Sequence, residues 1–138
     1  MERKFDEWYT ALVKCEGKKR LVLGDLIVWN VGTEYSHLRV ECFPGIRTAQ
    51  LHTVMENRAL GNLDTVLIHV GTNDLRRTSN LDYVMGEVYS LVATSKFKFL
   101  HCRLSLSGVV WHRDMMWWRI EVVNNRYDWV SKTLGVLL

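Results

Sequence analysis

The sequence predicts an α/β fold built on a parallel sheet. Two observations carry that expectation: short apolar runs recur without strict polar alternation, and helix-length stretches separate them. A strand covered on both faces needs such a continuous run. Strands joined by helix-length crossovers form βαβ units, whose right-handed connections put helices on both faces of the sheet. A third observation sets the scale. At 138 residues, 48% hydrophobic and 24% charged, the chain is one domain with enough apolar surface for a core.

In chain order, residues 1–20 differ in texture from the rest and read as an N-terminal arm ending in the basic cluster Lys18-Lys19-Arg20, with a short-helix candidate at 5–12. The first strand is expected at 20–23, closing at Gly24-Asp25, and the second at 38–43, closing at Pro44-Gly45. The run TVLIHV at 65–70 is the cleanest, nearly all β-branched or Leu and bounded by Gly71. A fourth strand falls within 97–110, and a fifth starts within 134–138. Helices are expected at 27–31, 48–60, 81–95 and 113–133. In the last, Met116, Ile120, Val123, Tyr127 and Val130 fall four, three, four and three apart, which makes one apolar stripe for the core. No repeat, low-complexity tract or Pro/Gly/Ser linker divides the chain.

Composition narrows the function. Eighteen Lys and Arg against 15 acidic residues leave a net charge of +3, far from a nucleic-acid-binding signature by itself. The three cysteines, Cys15, Cys42 and Cys102, include no CxxC pair and read as reduced thiols, Cys42 and Cys102 in strands. No metal site is expected, since no histidine pair has zinc-helix spacing. No apolar run approaches the ~20 residues that span a bilayer. The first ten residues lack the apolar block of a signal peptide. The expected location is the cytoplasm, with the nucleus as the alternative.

In open parallel sheets, sites form beyond the carboxyl ends of the strands. Three turns should therefore share one crevice: Gly24-Asp25-Leu26, Phe43-Pro44-Gly45 and Gly71-Thr72-Asn73-Asp74.

The segments LVLGDLIVWN, CFPGIR and VLIHVGTNDL resemble the first three motif blocks of the SGNH (GDSL-type) hydrolases. GTND after an apolar strand is the most specific of these. Within that family, the chain is most similar to the esterase-like domains of LINE-type retrotransposons and host genes derived from them. The later segments SGVVWHRDMMWWRI and NNRYDWVSKTLGV extend the similarity over residues 21–136. The resemblance implies a three-layer, flavodoxin-like parallel sheet, here incomplete at its C-terminal end, over residues 21–138. It also implies hydrolysis of small acyl esters, acetyl esters among them, without metal or organic cofactor. Family members place a serine nucleophile after Gly-Asp. The oxyanion hole is made by its N–H, a second-block glycine N–H and the third-block asparagine amide. The matching donors here are Gly45 and Asn73, supported by Gly24, Asp25, Gly71 and Asp74.

The match breaks at the chemistry. The nucleophile position is Leu26, which has no lone pair and no proton to give. The family's Asp-x-x-His motif, source of the base and its orienting acid, is not found, because no Asp in the sequence has His three residues on. The expectation is an inactive fragment of an esterase domain. Trp29, Trp111, Trp117 and His112 also stand where the family pattern favours arginine. A C-to-T transition turns an arginine CGG codon into TGG and a serine TCG into TTG. One mutational process would thus account for Leu26 and part of the excess of six tryptophans.

Structural roles are weighed beside these. Asp25 would cap the following helix. Asn73 would hold an oxyanion-type position in form but not in use, and Asp74 would bond loop N–H groups. Gly45 and Gly71 would serve backbone geometry. His69 and His101 sit in apolar runs as core or edge residues, with His37 and His52 on the surface. Ser105 and Ser107 fall in a strand run, and Ser79 and Ser90 lack a placed base. The rival class is a non-enzymatic RNA- or protein-interaction module. Its candidate RNA contacts are Lys18, Lys19, Arg20, Arg76 and Arg77, beside the aromatics Trp8 and Tyr9. Open apolar faces of the sheet or helices would favour self-association.

Overall fold

The computed structural model describes residues 20–24, 38–57, 63–100, 102–108 and 116–137. Four strands, β1 (Arg20–Gly24), β2 (Leu38–Cys42), β3 (Thr65–His69) and β4 (Arg103–Leu106), form one sheet in the order β2-β1-β3-β4. Every pairing is parallel. The register aligns Leu21 with Val66 and Leu23 with Ile68, and these in turn with Leu104 and Leu106. The helices are α1 (Thr48–Glu56), α2 (Thr72–Arg77), α3 (Leu81–Lys98) and α4 (Trp117–Leu134). This is the α/β parallel sheet expected from the apolar runs, in the flavodoxin-like strand order that the resemblance implies. The strand order reverses between β1 and β3, so a switch-point crevice opens at their carboxyl ends.

The two faces of the sheet differ. Leu21, Leu23, Val66, Ile68, Leu104 and Leu106 meet a core supplied by Leu51 and Met55 of α1, Val88, Leu91 and Val92 of α3, and Ile120, Val123 and Tyr127 of α4. The opposite face pairs Val22 and Leu67 with polar neighbours that are also buried: Arg20, Thr65, His69, Ser105 and Ser107. A continuous apolar run hides this asymmetry, since alternate residues point to opposite sides.

The described elements differ from the expected ones in detail. The fourth strand, β4 at Arg103–Leu106, falls within the expected 97–110, while α3 runs to Lys98, past the expected 95. Cys102 therefore precedes the strand rather than lying in it. The turn after β3 opens directly into α2. Met116 is the N-cap of α4 and 61% exposed, so the buried stripe begins at Ile120. Among the described residues, the fifth strand is represented by one parallel bridge, Ser105 to Leu137, because α4 continues to Leu134. The helix expected at 27–31, and Trp29, Trp111, His112, His37 and His101, lie outside the described residues.

The last turn of α3 ties the helix layer together. Lys96 donates to the Leu134 carbonyl of α4, and Lys98 donates to the Met55 and Glu56 carbonyls of α1. Both lysines thus satisfy orphan carbonyls at the negative ends of neighbouring helices. Gly135 closes α4 in the left-handed conformation at φ 67°, with Val136 N–H donating to Ser131 O at 3.0 Å.

Gly86 sits in the interior of α3, and a Cβ there would meet nothing within 4 Å. Glycine in a helix interior costs roughly 1 kcal/mol relative to alanine. Gly86→Ala is therefore expected to stabilise the fold by about 1 kcal/mol in urea unfolding.

Candidate functional site

The carboxyl ends of β1 and β3 and the loop after β2 are knitted into one crevice rim. Phe43 N–H donates to Gly24 O at 2.8 Å, which joins the loop to the end of β1. The Pro44-Gly45 turn closes with Ile46 N–H on Phe43 O at 3.1 Å, and Gly45 takes φ 75°, a conformation glycine alone adopts without strain. Across the crevice, Asn73 Nδ2 donates to Ile46 O at 3.0 Å. The two candidate oxyanion donors therefore meet at one place, Asn73 bonded to the carbonyl next to Gly45. An amide carries two N–H groups, so Asn73 keeps one to offer after that bond.

Asp74 has the structural role expected of it, with an unexpected partner. Its Oδ2 accepts the Thr48 N–H at 2.9 Å and the Thr48 hydroxyl at 2.7 Å. The first turn of α1 has orphan N–H groups, and its N-cap, Arg47, makes no side-chain cap bond to them. A carboxylate 26 residues away fills that role. The backbone at Gly71, φ 122°, lets the chain pass from β3 into α2 with only Val70 and Gly71 between them, so that Asn73 and Asp74 both reach across to the α1 side. Beneath them, the fully buried Tyr127 donates its hydroxyl to Val70 O at 2.6 Å.

Residues that the sequence did not single out also stand at this rim. Thr48 is buried under Asp74, and Arg47 begins α1 with its N–H held by Gln50 Oε1 at 2.9 Å. Tyr83, on the first turn of α3, feels the charges of both Asp74 and Arg47. Its phenol is pushed above its ordinary value chiefly by a hydrogen bond to Glu87 and by that carboxylate's charge.

Two hydroxyl–histidine contacts lie among the described residues, and neither forms an activated nucleophile. Ser107 Oγ is 3.0 Å from His69 Nδ1 and 3.2 Å from Gly108 O. A carbonyl only accepts, so both contacts are met when the serine proton goes to Gly108 and His69 donates. Whichever ring nitrogen carries the proton, both side chains are closed off from solvent, so no substrate reaches this pair. His52 Nε2 lies 2.9 Å from Thr94 Oγ1 and 3.1 Å from Glu56 Oε1, using one nitrogen for both. A catalytic triad needs the carboxylate on the nitrogen opposite the nucleophile. His52 lies partly buried in the α1–α3 seam, not on the open surface.

The remaining candidates divide by position. Gly24 ends β1 at the crevice, whereas Asp25 and Leu26 lie outside the described residues, as do Lys18 and Lys19. Arg76 and Arg77 are exposed at the end of α2. Arg20 is a correction: it opens the central strand, paired on both sides and 2% exposed, and offers no surface to a phosphate. A cleft of about 400 Å³ lies at the other end of the sheet, between the ends of α3 and α4 and the start of β4, away from this crevice. No helix among the described residues is long and apolar enough to cross a membrane.

No family model matches the sequence, and no curated protein does. Solved structures do match. A GDSL-like lipase from Bacteroides thetaiotaomicron aligns with a TM-score of 0.72 over 98% of this chain and 75% of that one, at 17% identity. A member of the lipolytic protein G-D-S-L family from Veillonella parvula aligns at 0.67 over 86% and 75%, with 12% identity. The psychrotrophic esterase EstA from Pseudoalteromonas sp. aligns at 0.64 over 88% and 75%, with 15% identity. At such identities the likeness is one of fold, and the fold is that of the SGNH lipolytic hydrolases.

Proposed function

We propose that this chain is an esterase-type scaffold of the SGNH kind that no longer hydrolyses acyl esters, from the lineage of LINE-type retrotransposon domains. One observation carries the reading: Leu26 occupies the position after Gly24-Asp25 where the chemistry requires a hydroxyl. Two of the candidate turns meet, Asn73 donating to the Ile46 carbonyl beside Gly45, which supports this reading. Among the described residues, neither hydroxyl–histidine contact offers a substitute nucleophile. Loss of the nucleophile alone costs a serine protease on the order of 10⁶ in kcat. Oxyanion donors without an attacking oxygen recover only the residual part of the acceleration, roughly 10³–10⁴ over water.

The expected result is no turnover of p-nitrophenyl acetate above the buffer rate and no covalent labelling by a fluorophosphonate. Leu26→Ser, assayed beside it, tests the placement of the nucleophile. Turnover by the unmodified chain that changes little on adding the serine would show that another residue attacks. A TTG codon at residue 26 fits the proposed lineage, and any other leucine codon there counts against it. What remains for such a scaffold is an interaction role, which the outer helix surface favours.

A further inference from the structure

Helices bury one face and leave the other to water, and the outward face of α3 and α4 does not follow that pattern. On α4, Trp118, Val122 and Trp129 fall within one stripe, 52%, 40% and 60% exposed. On α3, Tyr89, Ala93 and Phe97 follow at successive fourth positions, with Tyr89 36% and Phe97 79% exposed. The stripes are joined: the Tyr89 and Trp129 rings lie 6.2 Å apart between centroids. At the 150–250 Å² that an aromatic side chain presents, these fractions leave roughly 500 Å² of apolar surface open. That is near the upper end of what a monomer carries.

We infer that this surface is a two-fold interface with a second copy of the same chain. A standard interface takes about 800 Å² from each partner, and in homodimers about 65% of it is apolar. The joined stripes supply that share, and the flanking polar residues supply the rim. Composition fits as well, since Trp and Tyr dominate the residues that carry binding energy at protein interfaces. Charge separates this partner from a nucleic acid. The cations around the patch are already engaged within the chain. Arg126 pairs with Asp82 and Lys132 with Asp128, while Arg119 donates to Thr78 O and Lys96 to Leu134 O. A phosphate backbone would need such cations free. A second copy needs only a neutral surface that sheds water, matched to itself by the symmetry.

Sedimentation velocity of the full chain, from low micromolar to several hundred micromolar, tests this. A monomer–dimer equilibrium is expected, and Trp118→Lys and Trp129→Lys should each raise the dissociation constant about tenfold or more. Trp117→Lys, on the other flank of α4 and equally open to solvent, should leave it unchanged. Circular dichroism of each variant establishes that it is folded. Trp118 lies outside the Tyr89 ring contact, so Trp118→Lys decides the matter even where Trp129→Lys fails to fold. A chain that stays monomeric throughout overturns the inference, as does a dimer indifferent to both substitutions. A monomer whose tryptophan fluorescence is quenched by a single-stranded oligonucleotide also overturns it, and assigns the surface to nucleic acid.

Discussion

Asp74→Ala is expected to destabilise the fold by about 3 kcal/mol. The carboxylate accepts two hydrogen bonds from Thr48, one from its N–H and one from its hydroxyl, and Thr48 is fully buried. Hydrogen bonds to a charged group contribute roughly 1.5–3 kcal/mol, and removing the acceptor leaves buried donors that water cannot reach. The same carboxylate faces the positive end of α1, which adds a few tenths of a kcal/mol or more. Asp74→Asn keeps an acceptor of the same shape without the charge, so its loss should be about half as large. Urea unfolding of the two variants gives the comparison. A loss below about 1 kcal/mol for alanine would mean that α1 finds its cap elsewhere. The effect should also reach the crevice, because Asp74 and Asn73 together fasten the α2 side to the α1 side. Amide exchange at Thr48 and Leu51 should quicken more in Asp74→Ala than in Asp74→Asn.

That bond also marks the boundary of what the sequence discloses. The four strands were legible because buried parallel strands demand continuous apolar runs, and TVLIHV can hardly be anything else. Their carboxyl-end turns could be placed in one crevice for the same reason, since strand direction settles where loops meet. The partner of Asp74 was not legible. A helix N-terminus normally advertises itself by a Ser, Thr, Asp or Asn just before it, and here Arg47 stands in that place. The true acceptor comes from another loop, which no local pattern encodes. The polar face of the sheet was hidden in a similar way. Ser105, Ser107 and His69 look like interruptions of apolar runs until the register lines them up on one side, with His69 and Ser107 in contact. The end of α3 was not legible either, because the helix runs to Lys98, past the expected 95, held by Lys96 and Lys98 reaching to neighbouring helix ends. The exposed tryptophans of α4 stood out as an excess in composition, but only the helix shows that Trp118 and Trp129 share a surface while Trp117 does not.

Tyr127→Ala should be the most damaging change in the helix layer, at about 4 kcal/mol. The side chain is fully buried between α4 and the end of β3, and truncating a buried aromatic to alanine costs roughly 3–5 kcal/mol through lost burial and the cavity left behind. Tyr127→Phe separates the two contributions. It keeps the packing and removes the hydroxyl that donates to Val70 O at 2.6 Å, leaving that carbonyl with one bond fewer, at a cost of about 1–2 kcal/mol. Val70 is the last residue before Gly71, so this hydroxyl fixes the point from which the chain turns toward Asn73. The phenylalanine variant should therefore lose protection at Leu75, whose N–H closes on Gly71 O at 3.1 Å, more than at the centre of β3. Equal loss at both places would mean that the hydroxyl only adds to global stability. A selective loss would mean that α4, though remote from any chemistry, holds the crevice loop in shape.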